Sequence, residues 1–260
     1  MAEALLSRLI AQQIYQSSEV LVSEPQQQRR SFLEQQYGVA VTAENRVVAL
    51  GTPVLLLAVK PQIFEAIAKE LADVVAGLAG ESPPLVISIL AGVSLSKLQA
   101  AFPQLPVIRA MPNTPATVGA GITAISSGSS IVPHHQQTAI QLFSAVGEVV
   151  LVPEALMDAV TGLSGSGPAY VALIVEALSD GGVAAGLPRA IATQLALQTV
   201  RGTVQLLQET GMHPAQLKDR VTSPGGTTIA GVRELERAGL RSALIEAVQA
   251  AAVRSHELGS

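Results

Sequence analysis

Val54-Leu55-Leu56-Leu57-Ala58-Val59-Lys60-Pro61 is an apolar run that stops on a cation and a proline. A short continuous apolar run bounded by a turn signal reads as a buried parallel strand, and a proline just after it opens a helix. The pattern recurs on both sides of this stretch. Residues 85–89, 107–110, 122–125 and 148–152 read as further strands, with helices opening at Pro61, Ser94 and Pro133. Upstream, residues 2–15 and 25–37 read as helices flanking a strand at 19–22, and residues 43–50 as another short helix. Strands alternating with helices predict an α/β Rossmann-type doubly wound sheet.

Beyond Pro153 the strand-like runs vanish. Ala- and Leu-rich helical patterns cover residues 168–185, a second stretch reaching Glu209, then 214–221, 228–237 and 240–258. The sequence thus predicts two domains, an α/β domain at 1–153 and an all-α domain at 154–260. The 48% hydrophobic content and mean hydropathy of +0.41 are high for a soluble monomer, and a large subunit interface is their natural use.

Composition excludes several classes of function. The chain has no cysteine, so disulfides, thiolate metal sites and cysteine nucleophiles are out, and a reducing compartment fits. No apolar run approaches the ~18–20 residues of a membrane span, and no secretory leader is visible, so a cytoplasmic, soluble protein with no membrane partner is expected. With a formal charge of -4 and 3% aromatics the chain offers no phosphate-tracking patch, which argues against nucleic acid. The histidines at 134, 135, 213 and 256 have no metal-site or triad spacing and read as solvated, so no metal is expected.

Ligands of open parallel sheets lie beyond the C-terminal ends of the strands. Lys60-Pro61 falls there, although a surface lysine is an equal reading. Met111-Pro112-Asn113-Thr114-Pro115 falls there too, a loop stiffened by two prolines around an amide and a hydroxyl. In the second half, Val221-Thr222-Ser223-Pro224-Gly225-Gly226-Thr227-Thr228 runs into the helix beginning Ile229-Ala230-Gly231. Pro then Gly suits a type II turn, and a Ser or Thr before an apolar-periodic run suits a helix N-cap. Free N–H groups there, with the hydroxyls of Ser223, Thr227 and Thr228, would form a cradle for a carboxylate. An ordinary capped loop has the same local signature. Glu154, Glu176 and Asp180 show no acid and base pairing, but Glu154 stands at the domain boundary.

Five motifs in order carry a family resemblance: Ala58-Val59-Lys60-Pro61, Met111 to Pro115, Gly162-Leu163-Ser164-Gly165-Ser166-Gly167-Pro168-Ala169-Tyr170, Asp180-Gly181-Gly182, and Ser223 to Thr228. Together, over nearly the whole chain, they resemble pyrroline-5-carboxylate reductase. The resemblance implies reduction of 1-pyrroline-5-carboxylate to L-proline with NADPH, NADH being possible, and a homodimer interlocked through the helical domain, in some members a ring of dimers. It implies cofactor positions at Ser23, Asn45, Ala58, Val59, Lys60, Pro61 and Ala91. Arg29 and Arg30 either add charge beside a 2′-phosphate or are exposed helix residues. It implies substrate positions at Glu154, Ser223, Gly226, Thr227 and Thr228, the turn coming from the partner subunit. Thr228 is the catalytic candidate, as a hydroxyl able to hydrogen-bond the ring nitrogen while hydride is delivered to carbon.

The chain departs from the family pattern at two places. It opens at Met1-Ala2-Glu3-Ala4, midway through the family's first strand and Gly-x-Gly turn, so an in-frame upstream extension of roughly 8 to 15 residues is expected. Arg220 stands where relatives often carry a smaller polar residue. Two alternatives remain from the residues alone: a related imine or keto-acid reductase, and an inactive truncated homologue acting only as a dimerisation module.

Overall fold

The computed structural model describes residues 1–50, 52–78 and 83–259. It divides into two compact units, Met1–Ser166 with Ala250–Ser260, and Gly167–Gln249. In the first unit the helices are α1 (Ala2–Ala11), α2 (Gln27–Tyr37), α3 (Asn45–Leu50), α4 (Phe64–Leu78), α5 (Leu95–Ala101), α6 (Pro133–Ser144) and α7 (Met157–Val160). Its strands are β1 (Leu21–Ser23), β2 (Ala40–Thr42), β3 (Val54–Leu57), β4 (Leu85–Ser88), β5 (Val107–Met111), β6 (Gly121–Ser127) and β7 (Gly147–Leu151). The second unit holds α8 (Gly167–Ala184), α9 (Arg189–Thr210), α10 (Pro214–Arg220) and α11 (Thr227–Arg237); α12 (Leu240–Gly259) starts in it and ends in the first.

The strands form a parallel pair, β1-β2, and a five-stranded sheet in the order β3-β4-β5-β6-β7. In the larger sheet every pairing is parallel except β5 with β6. A parallel crossover needs about a dozen residues or more, and the short connection at 112–120 leaves room only for a reversal. Side chains alternate across this sheet. Leu55, Leu57, Val86 and Val107 enter a core under α4 and α5, whereas Leu85, Ile87, Ile108 and Ala110 enter a second core with Leu5 and Leu9 of α1 and Phe143 of α6. Both faces are covered, as the continuous apolar runs require. A third, small core joins Leu6 of α1, Leu33 of α2 and Val39 beside β2.

Two glycines fix how β6 and β7 begin. Gly147 has φ +148, and a Cβ there would lie 1.9 Å from the Gly121 carbonyl oxygen. A Cβ on Gly121 would in turn lie 2.9 Å from the Ala116 backbone.

The division by compactness falls later than the change of period at Pro153, because residues 154–166 bond back to the sheet. Arg109 of β5 donates to Glu154 (2.8 Å), and Asn113 Nδ2 donates to the Ser164 carbonyl (3.2 Å). The stretch Thr161–Gly165 is a π-helical turn, which the sequence pattern does not reveal. In the second unit, described residues are buried at only three positions, Ser179, Ala192 and Ala196.

Candidate functional site

β3 and β4 are parallel neighbours, so the residues that follow them share one edge. Ala58, Val59, Lys60 and Pro61 follow β3; Lys60 is exposed, and its carbonyl accepts from Ile63 N (3.1 Å) as Pro61 starts a 3-10 turn into α4. Ala91 follows β4 and is exposed, while Leu90 and Val93 on either side are buried. Ser23 closes β1, and its Oγ donates to Asn45 Oδ1 (2.8 Å) at the start of α3. Asn45 Nδ2 donates to Glu70 of α4 (2.9 Å), which ties this pair to the helix that Lys60-Pro61 opens. The strand ends thus carry a hydroxyl and an amide bonded within the chain and an exposed ammonium group, a polar set that fits the ribose and phosphate groups of a dinucleotide.

Arg29 and Arg30 are engaged within the chain. Arg29 pairs with Glu3 and lies over the Phe32 ring, and Arg30 Nη1 donates to the carbonyls of Glu24 (2.7 Å) and Pro25 (2.8 Å). Hydrogen bonds from Arg29 and Tyr37 hold the Glu3 carboxyl below its usual range, and burial with the Glu3 contact raises the Tyr37 phenol.

In the second unit the turn at 223–228 has the geometry expected of Pro-Gly. Gly225 has φ +66, and Gly226 N donates to Ser223 O (3.1 Å), closing the turn. The expected hydroxyl N-cap is corrected: Gly226 is the N-cap of α11 and no side chain caps it, because Thr227 already lies in the first helical turn. The Ser223 hydroxyl folds over Gly226, where a Cβ would sit 2.3 Å from Oγ. Ser223 and Thr227 are exposed and Thr228 is half-buried, so three hydroxyl residues flank a helix start whose first-turn N–H groups have no side-chain cap. Arg220 ends α10 and is exposed. A groove of about 680 Å³ also runs between α8 and α9, lined by Val171, Val175, Glu176, Asp180, Arg189 and Leu197 among others.

Glu154 stands in the first unit. Its Oε1 accepts from Arg109 Nη1 (2.8 Å) and from Leu95 N (3.0 Å) at the start of α5. The Arg109 side chain is 5% exposed and that of Glu154 32%. Arg109 Nη2 and Glu154 Oε2 are buried with no hydrogen-bond partner. Sequence reading gave Arg109 no part, and only its place as an ionic residue inside an apolar strand could have drawn attention to it. Asn113, a candidate binding amide, is used structurally: its Oδ1 accepts from Ile122 N (3.0 Å) and its Nδ2 reaches Ser164.

Three of the four histidines also have structural partners. His135 Nδ1 accepts from Val132 N (3.4 Å) and His213 Nδ1 from Ala215 N (3.2 Å), both at helix starts, while His256 pairs with Asp158 (3.2 Å). No group of three possible metal ligands occurs among the described residues, and no described helix is long and apolar enough to cross a membrane.

Residues 154–258 match the family described as pyrroline-5-carboxylate reductase dimerisation, and residues 1–92 match NADP oxidoreductase, coenzyme F420-dependent. A pyrroline-5-carboxylate reductase of Synechocystis is 60% identical over 259 residues, covering 100% of this chain and 95% of the relative. The solved pyrroline-5-carboxylate reductase of Coxiella burnetii superposes with a TM-score of 0.91 at 35% identity, over 100% of this chain and 95% of that one. The Plasmodium falciparum pyrroline carboxylate reductase, solved with NADP bound, gives 0.89 at 28% identity over 99% and 94%.

Proposed function

The chain belongs to the pyrroline-5-carboxylate reductase family, NADP-dependent oxidoreductases that reduce 1-pyrroline-5-carboxylate to L-proline in proline biosynthesis, and we propose that its turn at 223–228 holds the substrate carboxylate. The supporting observation is the uncapped start of α11 beneath the Ser223 hydroxyl, where N–H and O–H donors meet a carboxylate's needs. Thr227 adds a second hydroxyl and Gly226 the space for close approach. Thr228 is the residue assigned to the ring nitrogen, which its hydroxyl orients and hydrogen-bonds.

NADPH, when bound, supplies the hydride that reduces the imine carbon. Ser23 and Asn45 would hold its adenosine end, and Ala58, Val59, Lys60, Pro61 and Ala91 the remainder along the strand ends. NADH is the alternative donor. Residues 1–153 then carry the cofactor, and 154–260 the substrate turn and the self-association surface. Glu154 is assigned a part through the β4–α5 turn it holds, because its Oε1 is committed to Arg109 and Leu95. Self-association follows from the dimerisation family matched at 154–258. A closed homodimer, further gathered into a ring of dimers, is our finer reading, and the cytoplasm our assigned compartment.

The test is NADPH oxidation by the purified protein with pyrroline-5-carboxylate, other cyclic imines and keto acids in parallel. Proline formation at an efficiency well above the rest is expected. Equal turnover of a different imine, or none despite NADPH binding, would overturn the reading.

A further inference from the structure

The turn at 91–94, between β4 and α5, is gripped from two sides by residues distant in sequence. On one side Glu154 Oε1 accepts from Leu95 N (3.0 Å) while Arg109 Nη1 fixes the same oxygen (2.8 Å). On the other side the last turn of α12 lies against Gly92. That glycine has φ +74, and a Cβ on it would fall 3.3 Å from Leu258 Cβ and 3.4 Å from the Leu258 carbonyl. A Cβ on Gly259 would fall 2.7 Å from the Gly92 oxygen, so two backbones meet where neither has a side chain.

The end of α12 is itself held by Asp158 of α7. Ser255 Oγ donates to Asp158 Oδ1 (2.7 Å), and His256 Nδ1 lies 3.2 Å from Oδ2. Lys97 Nζ of α5 donates to the Gly259 carbonyl (2.6 Å). Leu90 and Val93 root the turn in the core, and Ala91 is left as the residue it presents outward.

We infer that Glu154 and Asp158 are positioning residues for the nicotinamide cofactor, acting by clamping the β4–α5 turn so that Ala91 and its backbone stand ready at the strand ends. The inference rests on the assignment of Ala91 to the cofactor made above. Neither carboxylate need touch cofactor or imine. Each fixes a backbone segment whose freedom would otherwise be lost on binding, and preorganisation of this kind appears as affinity.

The experiment compares wild type with Asp158→Ala and Glu154→Gln in the full chain, measuring NADPH binding by direct fluorescence titration and amide hydrogen exchange over residues 90–96. Asp158→Ala, which leaves the buried Arg109 pair intact, should fold as wild type. It should raise the NADPH dissociation constant about tenfold, because both contacts that hold the end of α12, from Ser255 and His256, are lost. Exchange at 90–96 should quicken in both variants, and in Asp158→Ala the KM for pyrroline-5-carboxylate at saturating NADPH should stay put. Equal NADPH affinity in wild type and a folded Asp158→Ala, or a rise in imine KM alone, overturns the inference and leaves the proposed function standing. A wild-type protein that binds no NADPH overturns both.

Discussion

A methyl group at position 226 has nowhere to go while the Ser223 hydroxyl keeps its place, since the two would be 2.3 Å apart. Gly226 has φ -81, so the obstacle is contact and not backbone strain. Gly226→Ala should therefore displace Ser223, raise KM for the imine and leave NADPH binding unchanged, which steady-state kinetics with both substrates varied will show. Thr228→Ala removes one hydrogen bond to a charged or developing-charge group, a loss of about 1.5–3 kcal/mol or roughly 10- to 150-fold in kcat/KM. Lys60→Ala, at the strand ends, should instead change the NADPH dependence. Unchanged efficiency in a folded Thr228→Ala would return the turn to an ordinary loop.

At the scale of elements, the tie between β5, α5 and the segment after β7 is ionic, with the Arg109 side chain buried and that of Glu154 partly exposed. Glu154→Ala would strand the Arg109 guanidinium, and breaking such a pair costs about 3–5 kcal/mol. Replacing both partners with apolar residues should recover much of that loss, as chemical denaturation of the single and double variants will show. The bonds that Arg29 and Tyr37 donate to Glu3, which join α1 to α2, have a pH signature. With the folded carboxyl held low, its contribution is fully present above the ordinary carboxylate pKa and is lost as pH falls through the folded value. Partial exposure limits it to under about 1 kcal/mol. Glu3→Gln should therefore flatten the acid limb of the denaturation midpoint against pH, without changing stability where wild-type Glu3 is protonated.

Elements of this kind also show which features a sequence exposes. The apolar runs behind β3, β4 and β5 and the prolines opening α6 and α10 are local signals, and they place these elements within a residue or two. β2 escaped notice because Ala40–Thr42 is three residues long and none of them is buried. The reversal at β6 follows from loop length, which periodicity does not measure. Motif matching finds the turn at 223–228 because its parts are contiguous. The pairing of Arg109 with Glu154, 45 residues apart, and of Asp158 with Ser255, 97 apart, depends on the completed fold.

For the whole molecule, the second unit is a set of helices without an interior of its own. Leu173, Leu178, Ile191, Leu195, Leu197, Val204 and Leu206 are exposed, against three buried positions in the same unit. Helices gain most of their stability from packing an apolar face, so these residues need a partner surface. Sedimentation at micromolar concentration should find dimers or larger assemblies, and Leu195→Asp should dissociate them with loss of helicity. A stable helical monomer would refute this.

The meeting of Gly147 with Gly121 sets a limit on what inheritance can vary. A library randomised at both positions and selected for growth without proline should return glycine at 147 almost without exception, since every other side chain begins with an atom inside the Gly121 carbonyl. Neighbouring exposed sites such as Glu148 should drift freely. The tolerated alphabet at the start of β7 is thus set by a backbone across the sheet, and the substrate has no vote in it.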